Sequence, residues 1–180
     1  MSTMKAVVQE KYGAADDLEV REVPRPVAQQ GEALVRVRAT SMHADVWHVV
    51  TGLPRVLRLM GAGLRRPKQA IPGTDLAGEV VEVGAGVTRF APGDAVYGEV
   101  VAGFQWKNGG TYAEYAVADA DALAPKPERL SFEEAAAVPT PGLIALRNLR
   151  HGGDLGPGKK VLVNGAGGAV GGYALQIAKA

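Results

Sequence analysis

The stretch from Val161 to Ala180, VLVNGAGGAVGGYALQIAKA, constrains this chain more than any other. An apolar run meets a burst of glycine and then a segment with helical spacing. Gly165, Gly168 and Gly171 fall three apart between the two. Without side chains, such a turn can be tight, a ligand can approach its backbone closely, and the helix can pack near the strand. The free N–H groups and the positive helix end then suit a pyrophosphate. The strict G-x-G-x-x-G spelling fails, because Val170 stands five after Gly165. An ordinary tight strand-to-helix turn is the competing reading. No G-K-[ST] follows, so a P-loop does not apply. The candidate contacts are Gly165, Gly167, Gly168, Ala169, Val170 and Gly171.

Upstream the pattern differs. Short valine-rich runs at 4–12, 18–23, 32–41, 76–84, 94–101 and 111–118 are separated by Gly, Pro and Asp, the signature of a barrel or sandwich. In 32–41, Leu34, Arg36 and Arg38 alternate with Ala33, Val35 and Val37, as in a half-buried strand. A helical insert is expected from His43 to about Val50, closed by Gly52. Pro125 and Pro127 open a linker, and Ser131 with Glu134 forms a capping box ahead of a helix. The expected organisation is therefore a β-rich domain over 1–125 and the start of an α/β domain over 126–180. The net charge is +1, with acids and bases interspersed, so neither nucleic acid nor membrane is expected as a partner. Arg65, Arg66 and Lys68 read as a solvated loop. Cysteine is absent, which removes disulfides, thiol nucleophiles and thiolate zinc sites. No apolar run approaches the roughly 18–20 residues that span a bilayer. A cytoplasmic protein is the expectation.

PGTDLAGEVVEVGAGVTRFAPGDAVYG at 72–98, then AEY at 113–115, the proline-flanked linker and VLVNGAGGAVG occur in this order. The whole series closely resembles the medium-chain dehydrogenase/reductase superfamily, in particular its zinc-free quinone oxidoreductase branch. The resemblance implies a mostly β fold: a GroES-like β barrel followed by the first strand and helix of an incomplete Rossmann domain. It also implies NADPH or NADH as cofactor and a small quinone or enone as substrate. Members are nearly twice this length, so the residue that tells NAD from NADP, about 20 positions beyond the turn, is expected past Ala180. The chain alone is expected to be inactive. A homodimer or a complementing second chain is left open, as is a different class altogether, a non-catalytic GroES-like binding module or inactive gene fragment.

The segment TSMHADVWHVVTG at 40–52 is similar to a zinc-enzyme pattern with Met42 in place of cysteine, and Gly73-Thr74-Asp75 stands where zinc relatives carry Gly-His-Glu. Ala44 replaces the hydroxyl that relays an alcohol's proton. No metal is therefore expected, since a thioether is a poor zinc ligand. His43 and Asp45 remain as candidate catalytic residues, imidazole being the side chain that changes charge near neutral pH. A packed histidine and a first-turn helix acid are the competing readings. Trp47 is either a lid or core, and His48 is structural or exposed. Thr140, in AVPTPGLIAL, is the remaining cofactor candidate, on a segment whose relatives border the nicotinamide. Gly73, Gly78, Gly84 and Gly93 read as turn or close-packing positions and Asp94 as a turn acceptor.

Overall fold

A computed structural model describes residues 2–100, 110–152 and 155–180. The chain forms two compact units, residues 1–136 and 137–180. The first is built on sheets. Strands β1 (Thr3–Val8) and β2 (Glu19–Pro24) pair antiparallel, with Met4 opposite Val23. Strands β3 (Glu32–Thr40), β4 (Asp75–Val83), β5 (Ala95–Glu99), β6 (Tyr115–Asp119) and β7 (Leu123–Pro125) form a second sheet in the order β6-β3-β4-β5-β7. Every pairing in it is antiparallel. The run expected at 94–101 ends as a strand at Glu99, and Val101 lies outside the described residues. The run at 111–118 becomes a strand only from Tyr115, although Ala113 bridges to Ala6 in β1.

The core lies on one side of this larger sheet, where Ala33, Val35, Leu76, Val80, Val96, Ala116 and Leu123 are buried together. Strict alternation in β3 does not hold, because Leu34, expected with the exposed arginines, is buried as well. β3 is flanked by β4 and β6, and a strand with neighbours on both sides can be covered on both faces at one end. Arg36 and Arg38 remain exposed.

The helix α1 (Ala44–Thr51) ends at Gly52, whose φ of 62° is left-handed and whose N–H reaches the His48 carbonyl at 2.8 Å. The helix α2 (Phe132–Ala136) starts at the capping box: Ser131 N–H donates to Glu134 at 2.8 Å and Glu134 N–H donates to Ser131 Oγ at 3.1 Å. Ala135 and Ala136 pack with Ala77 under Phe132 and Leu130, which keeps α2 in the first unit. The compact units therefore meet after Ala136, eleven residues past the proline at which the sequence pattern changes.

The second unit consists of α3 (Pro139–His151) and α4 (Ala169–Lys179), packed through Ala145, Leu149 and Ala174. Val161–Asn164 has the composition of a strand but pairs with no other segment among the described residues. The reason is physical: a strand exists by its ladder partners, and the described residues of this unit include no neighbouring strand. Leu162 is accordingly 96% exposed. No helix among the described residues is long and apolar enough to cross a membrane.

Candidate functional site

Two separate groups of residues carry chemistry, one in each unit. In the first unit, Gly73 brings the chain into β4 with a φ of 90°. A Cβ there would collide with Thr111 Oγ1 and the Tyr112 ring, so this position is closed to larger residues by backbone and by space. The Tyr112 N–H donates to the Pro72 carbonyl at 3.1 Å and the Val100 N–H to the Thr74 carbonyl at 2.7 Å. These bonds hold Thr74 and Asp75 at the head of β4. The β3–β4 register slips between Val37 and Ala39, which sets the end of β3 against this head, with Thr40 opposite Leu76.

Around that point a partly buried polar network forms. Thr40 Oγ1 donates to the Asp75 carbonyl at 2.7 Å and lies 2.9 Å from Thr111 Oγ1. Ser41 Oγ donates to Asp75 Oδ2 at 3.1 Å, and Thr74 Oγ1 lies 3.4 Å from Asp75 Oδ1. His43 precedes α1 in extended backbone and does not cap it, so its ring is free to turn inward. Its Nε2 lies 2.9 Å from Thr74 Oγ1 and 3.8 Å from Asp75 Oδ1, and its Nδ1 lies 3.8 Å from Asp45 Oδ2. The His43 side chain is 13% exposed and that of Asp45 24%, whereas that of Asp75 is fully buried. Tyr112 closes the network by donating to the Ser41 carbonyl at 3.2 Å. Burial first, and then the charge of Asp75, push its phenol above the usual tyrosine value. Thr40, Thr111 and Tyr112 also line a groove of about 370 Å³ with Val37, Arg38 and Ala39.

His43 and Asp45, the two catalytic candidates from the sequence, thus lie 3.8 Å apart. Thr74 and Asp75 are the members that sequence reasoning missed. They were visible only as departures from a zinc pattern, although a Thr-Asp pair at the start of an apolar strand is an unusual place for polar side chains. Trp47 is 54% exposed and meets His48 edge-on, so in this chain it is no part of the core. Met42 is 86% exposed.

The second unit holds the glycine turn and Thr140. Two of the three spaced glycines are held to glycine, each for a different reason. Gly165 has a φ of 79°, which L side chains rarely adopt. A Cβ on Gly171 would collide with the Gly165 carbonyl oxygen and Ala166 Cα, so its absence lets α4 sit against the turn. Gly168 has neither need: it is the N-cap in extended backbone, and the nearest atom to an added Cβ would be Gly165 O at 3.5 Å. Gly167 likewise faces open space. The Gly168 N–H is used by Gly165, and the helix ladder begins with Gly172 N–H to Gly168 O at 2.9 Å. The N–H groups of Ala169, Val170 and Gly171 precede that ladder and form the open first turn. The Val170 side chain packs inward with Tyr173 and Ile177, which leaves only its backbone for a ligand. Thr140 is 3% exposed in the first turn of α3, with Ile144 one turn on at the surface.

The described residues thus form an antiparallel β unit with a polar cluster at the head of one strand and, in the second unit, a glycine turn at a helix start. Residues 29–128 match the alcohol dehydrogenase GroES-like domain, and the chain belongs to that family. It is 40% identical, over 98% of its length and 52% of the other's, to a chloroplast envelope quinone oxidoreductase homolog of Arabidopsis thaliana. The structure of the quinone oxidoreductase from Coxiella burnetii matches with a TM-score of 0.85 and 33% identity, over 99% of this chain and 54% of that one. A cobalt- and zinc-bound thermostable alcohol dehydrogenase from Pyrobaculum aerophilum matches with a TM-score of 0.79 and 30% identity, over 99% and 57%. The chain spans about half the length of the curated relatives it matches.

Proposed function

We propose that this chain is the N-terminal part of a zinc-independent, NAD(P)H-dependent oxidoreductase that reduces a quinone or an α,β-unsaturated carbonyl. The observation that carries the reading is the division of labour in the glycine turn. Gly165 is required by its backbone angle and Gly171 by packing, while Gly168 is left open for no reason internal to the protein. Those are the three roles of a dinucleotide-binding turn. The backbone of Gly165, Gly167 and Gly168 and the first-turn N–H groups of Ala169, Val170 and Gly171 would hold the pyrophosphate. The cofactor, when bound, supplies a hydride. His43 is the group suited to polarise or protonate the carbonyl oxygen on which negative charge grows, and Asp45 Oδ2 lies 3.8 Å from its Nδ1. Thr140 is buried and stays a candidate for the nicotinamide side only through a change of exposure on binding.

Zinc independence is supported by the donor set. His43 Nε2 is engaged by Thr74, and Met42 offers a thioether that points to solvent. A cytoplasmic location belongs to the same reading, a reducing compartment being compatible with a chain that lacks cysteine. The test is oxidation of NADPH and of NADH with a quinone and with an enone, using a chain extended to the length of the relatives. Elemental analysis accompanies it. Turnover without bound metal is expected. Stoichiometric zinc lost together with activity on chelation, or no nicotinamide oxidation with either acceptor class, overturns the proposal.

A further inference from the structure

Residues 46–74 contain Arg55, Arg58, Arg65, Arg66 and Lys68 and no aspartate or glutamate, although the chain carries 19 acidic side chains and a net charge of +1. The expectation of no membrane partner rests on that whole-chain balance, which this segment does not share. Charges act over about 10 Å at moderate salt, so a partner meets the local excess. Among the described residues, none of Arg55, Arg65, Arg66 and Lys68 forms an ion pair, and all four are exposed. Arg58 has a different use. Its guanidinium donates to the Gly52 and Thr51 carbonyls at 2.9 and 3.2 Å and lies 4.2 Å from the centre of the Tyr12 ring. The Tyr12 hydroxyl donates to the Gly63 carbonyl at 2.7 Å. The Gln9 N–H donates to the Ala70 carbonyl at 2.7 Å, and its side-chain amide donates to the Gln69 carbonyl at 3.2 Å. Tyr12 and Gln9 thus fasten the segment through its backbone, with Gly52, Ala62 and Gly63 buried. Leu53, Val56, Leu59, Met60 and Leu64 take no part in this fastening and are exposed, Leu59 at 73% and Leu64 at 63%. His48 Nδ1 bonds to the Leu53 carbonyl while its ring meets Trp47, so an exposed indole stands beside the start of the same segment. Single exposed apolar residues are ordinary, but a cluster of this kind marks a surface that something covers.

We propose that residues 53–68 are a docking surface for an anionic phospholipid bilayer, with the apolar side chains entering the interface and the four unpaired cations meeting lipid phosphates. Apolar groups beside cations, without one carboxylate, complement a surface that is anionic outside and hydrocarbon beneath. Nucleic acid would engage the cations but offers five aliphatic side chains nothing to enter, since its bases stack on aromatic rings. A second copy fits worse still, because a two-fold contact sets a patch against itself and would bring these cations together. The proposal is independent of the reductase reading.

The experiment is co-sedimentation of the 180-residue chain, and of a chain extended to the length of the relatives, with vesicles of phosphatidylcholine alone or with about one third phosphatidylglycerol. Both chains should sediment with the anionic vesicles and not with the neutral ones, and added salt should weaken the binding. Arg65→Gln with Arg66→Gln should lower the partition coefficient about tenfold or more. Leu59→Ser with Leu64→Ser should lower it by about the same factor. All four side chains are exposed, so the melting temperature of both double variants should stay at the wild-type value. Equal binding to the two vesicle compositions overturns the proposal. So does wild-type binding by the leucine double variant, which would mean a purely electrostatic surface of the kind nucleic acid uses. Binding by the 180-residue chain that disappears in the extended chain overturns it too, since the segment then faces the rest of the chain. A dimer that the leucine double variant dissociates, in a protein that ignores vesicles, would assign the surface to a second copy instead. Vesicle binding by an extended chain that fails to oxidise NAD(P)H would leave this proposal standing and defeat the reductase reading.

Discussion

At Tyr112 a single side chain joins packing to titration. Its phenol is held up by burial first and by the charge of Asp75 second, and its hydroxyl donates to Ser41. A raised folded-state value means that the folded protein holds the phenolic proton more tightly than the unfolded chain does. The resulting stability is fully present below the ordinary value of 10.0 and is lost as pH rises through the higher folded value. Thermal melts from pH 8 upward should show the wild type losing stability above about pH 10, where free tyrosine ionises. Tyr12 and Tyr173 are raised by burial in the same direction, so the diagnostic quantity is the difference made by Tyr112→Phe. That variant should melt lower at pH 8, by the equivalent of about 0.5–1.5 kcal/mol for one hydrogen bond, and should fall less steeply above pH 10. Parallel curves for the two proteins would refute the coupling. At this scale the sequence was only partly legible. His43 and Asp45 stood out because they lie in a segment similar to a zinc-enzyme pattern and because imidazole changes charge near neutral pH. Thr74 and Asp75 did not, because their role depends on β3 lying beside β4, a contact between residues 35 apart in sequence such as Thr40 and Asp75.

Among the elements, legibility followed how local the cause was. The Ser131–Glu134 capping box was readable because both bonds close within four residues, and Gly52 was readable as a helix end for the same reason. Ser131→Ala should cost about 1 kcal/mol, measured as a lower urea midpoint with unchanged slope. No change in midpoint would show that α2 is held by Ala135 and Ala136 alone. The three-residue β7 went unread, since LAP with a terminal proline has no periodicity to detect and exists through its pairing with β5. Val161–Asn164 shows the converse, a strand by composition that has no pairing partner among the described residues. The two units should therefore differ in protection. Leu76, Val80 and Val96 sit in a broad buried core, whereas the buried cluster of the second unit is Ala145, Leu149 and Ala174. Amides of β3 and β4 should exchange slowly and those after Lys160 fast. Equal protection in both would contradict this contrast.

On the scale of the whole molecule, two kinds of glycine allow stability and ligand binding to be separated. Gly171→Ala places a Cβ against Gly165 O and Ala166 Cα, so the turn must open or α4 must shift. It should lower the melting temperature of the second unit before any nucleotide is added. At Gly168 an added Cβ meets only Gly165 O at 3.5 Å, and extended backbone before a helix suits a β-branched side chain, so Gly168→Val should leave the fold nearly unchanged. Its effect should appear only with nucleotide, because the added methyl groups would occupy the space through which a pyrophosphate approaches. The 180-residue chain itself should bind NADPH or NADH weakly. Its second unit offers one turn and one helix start against an association cost of at least about 4 kcal/mol. A chain extended to the length of its relatives should bind more tightly and lose that gain in Gly168→Val. Calorimetric titration of both lengths, wild type and variants, distinguishes the outcomes. Micromolar binding by the 180-residue chain would show that the turn suffices alone, and unchanged binding by the extended Gly168→Val protein would show that the open space at Gly168 is not where the nucleotide lies.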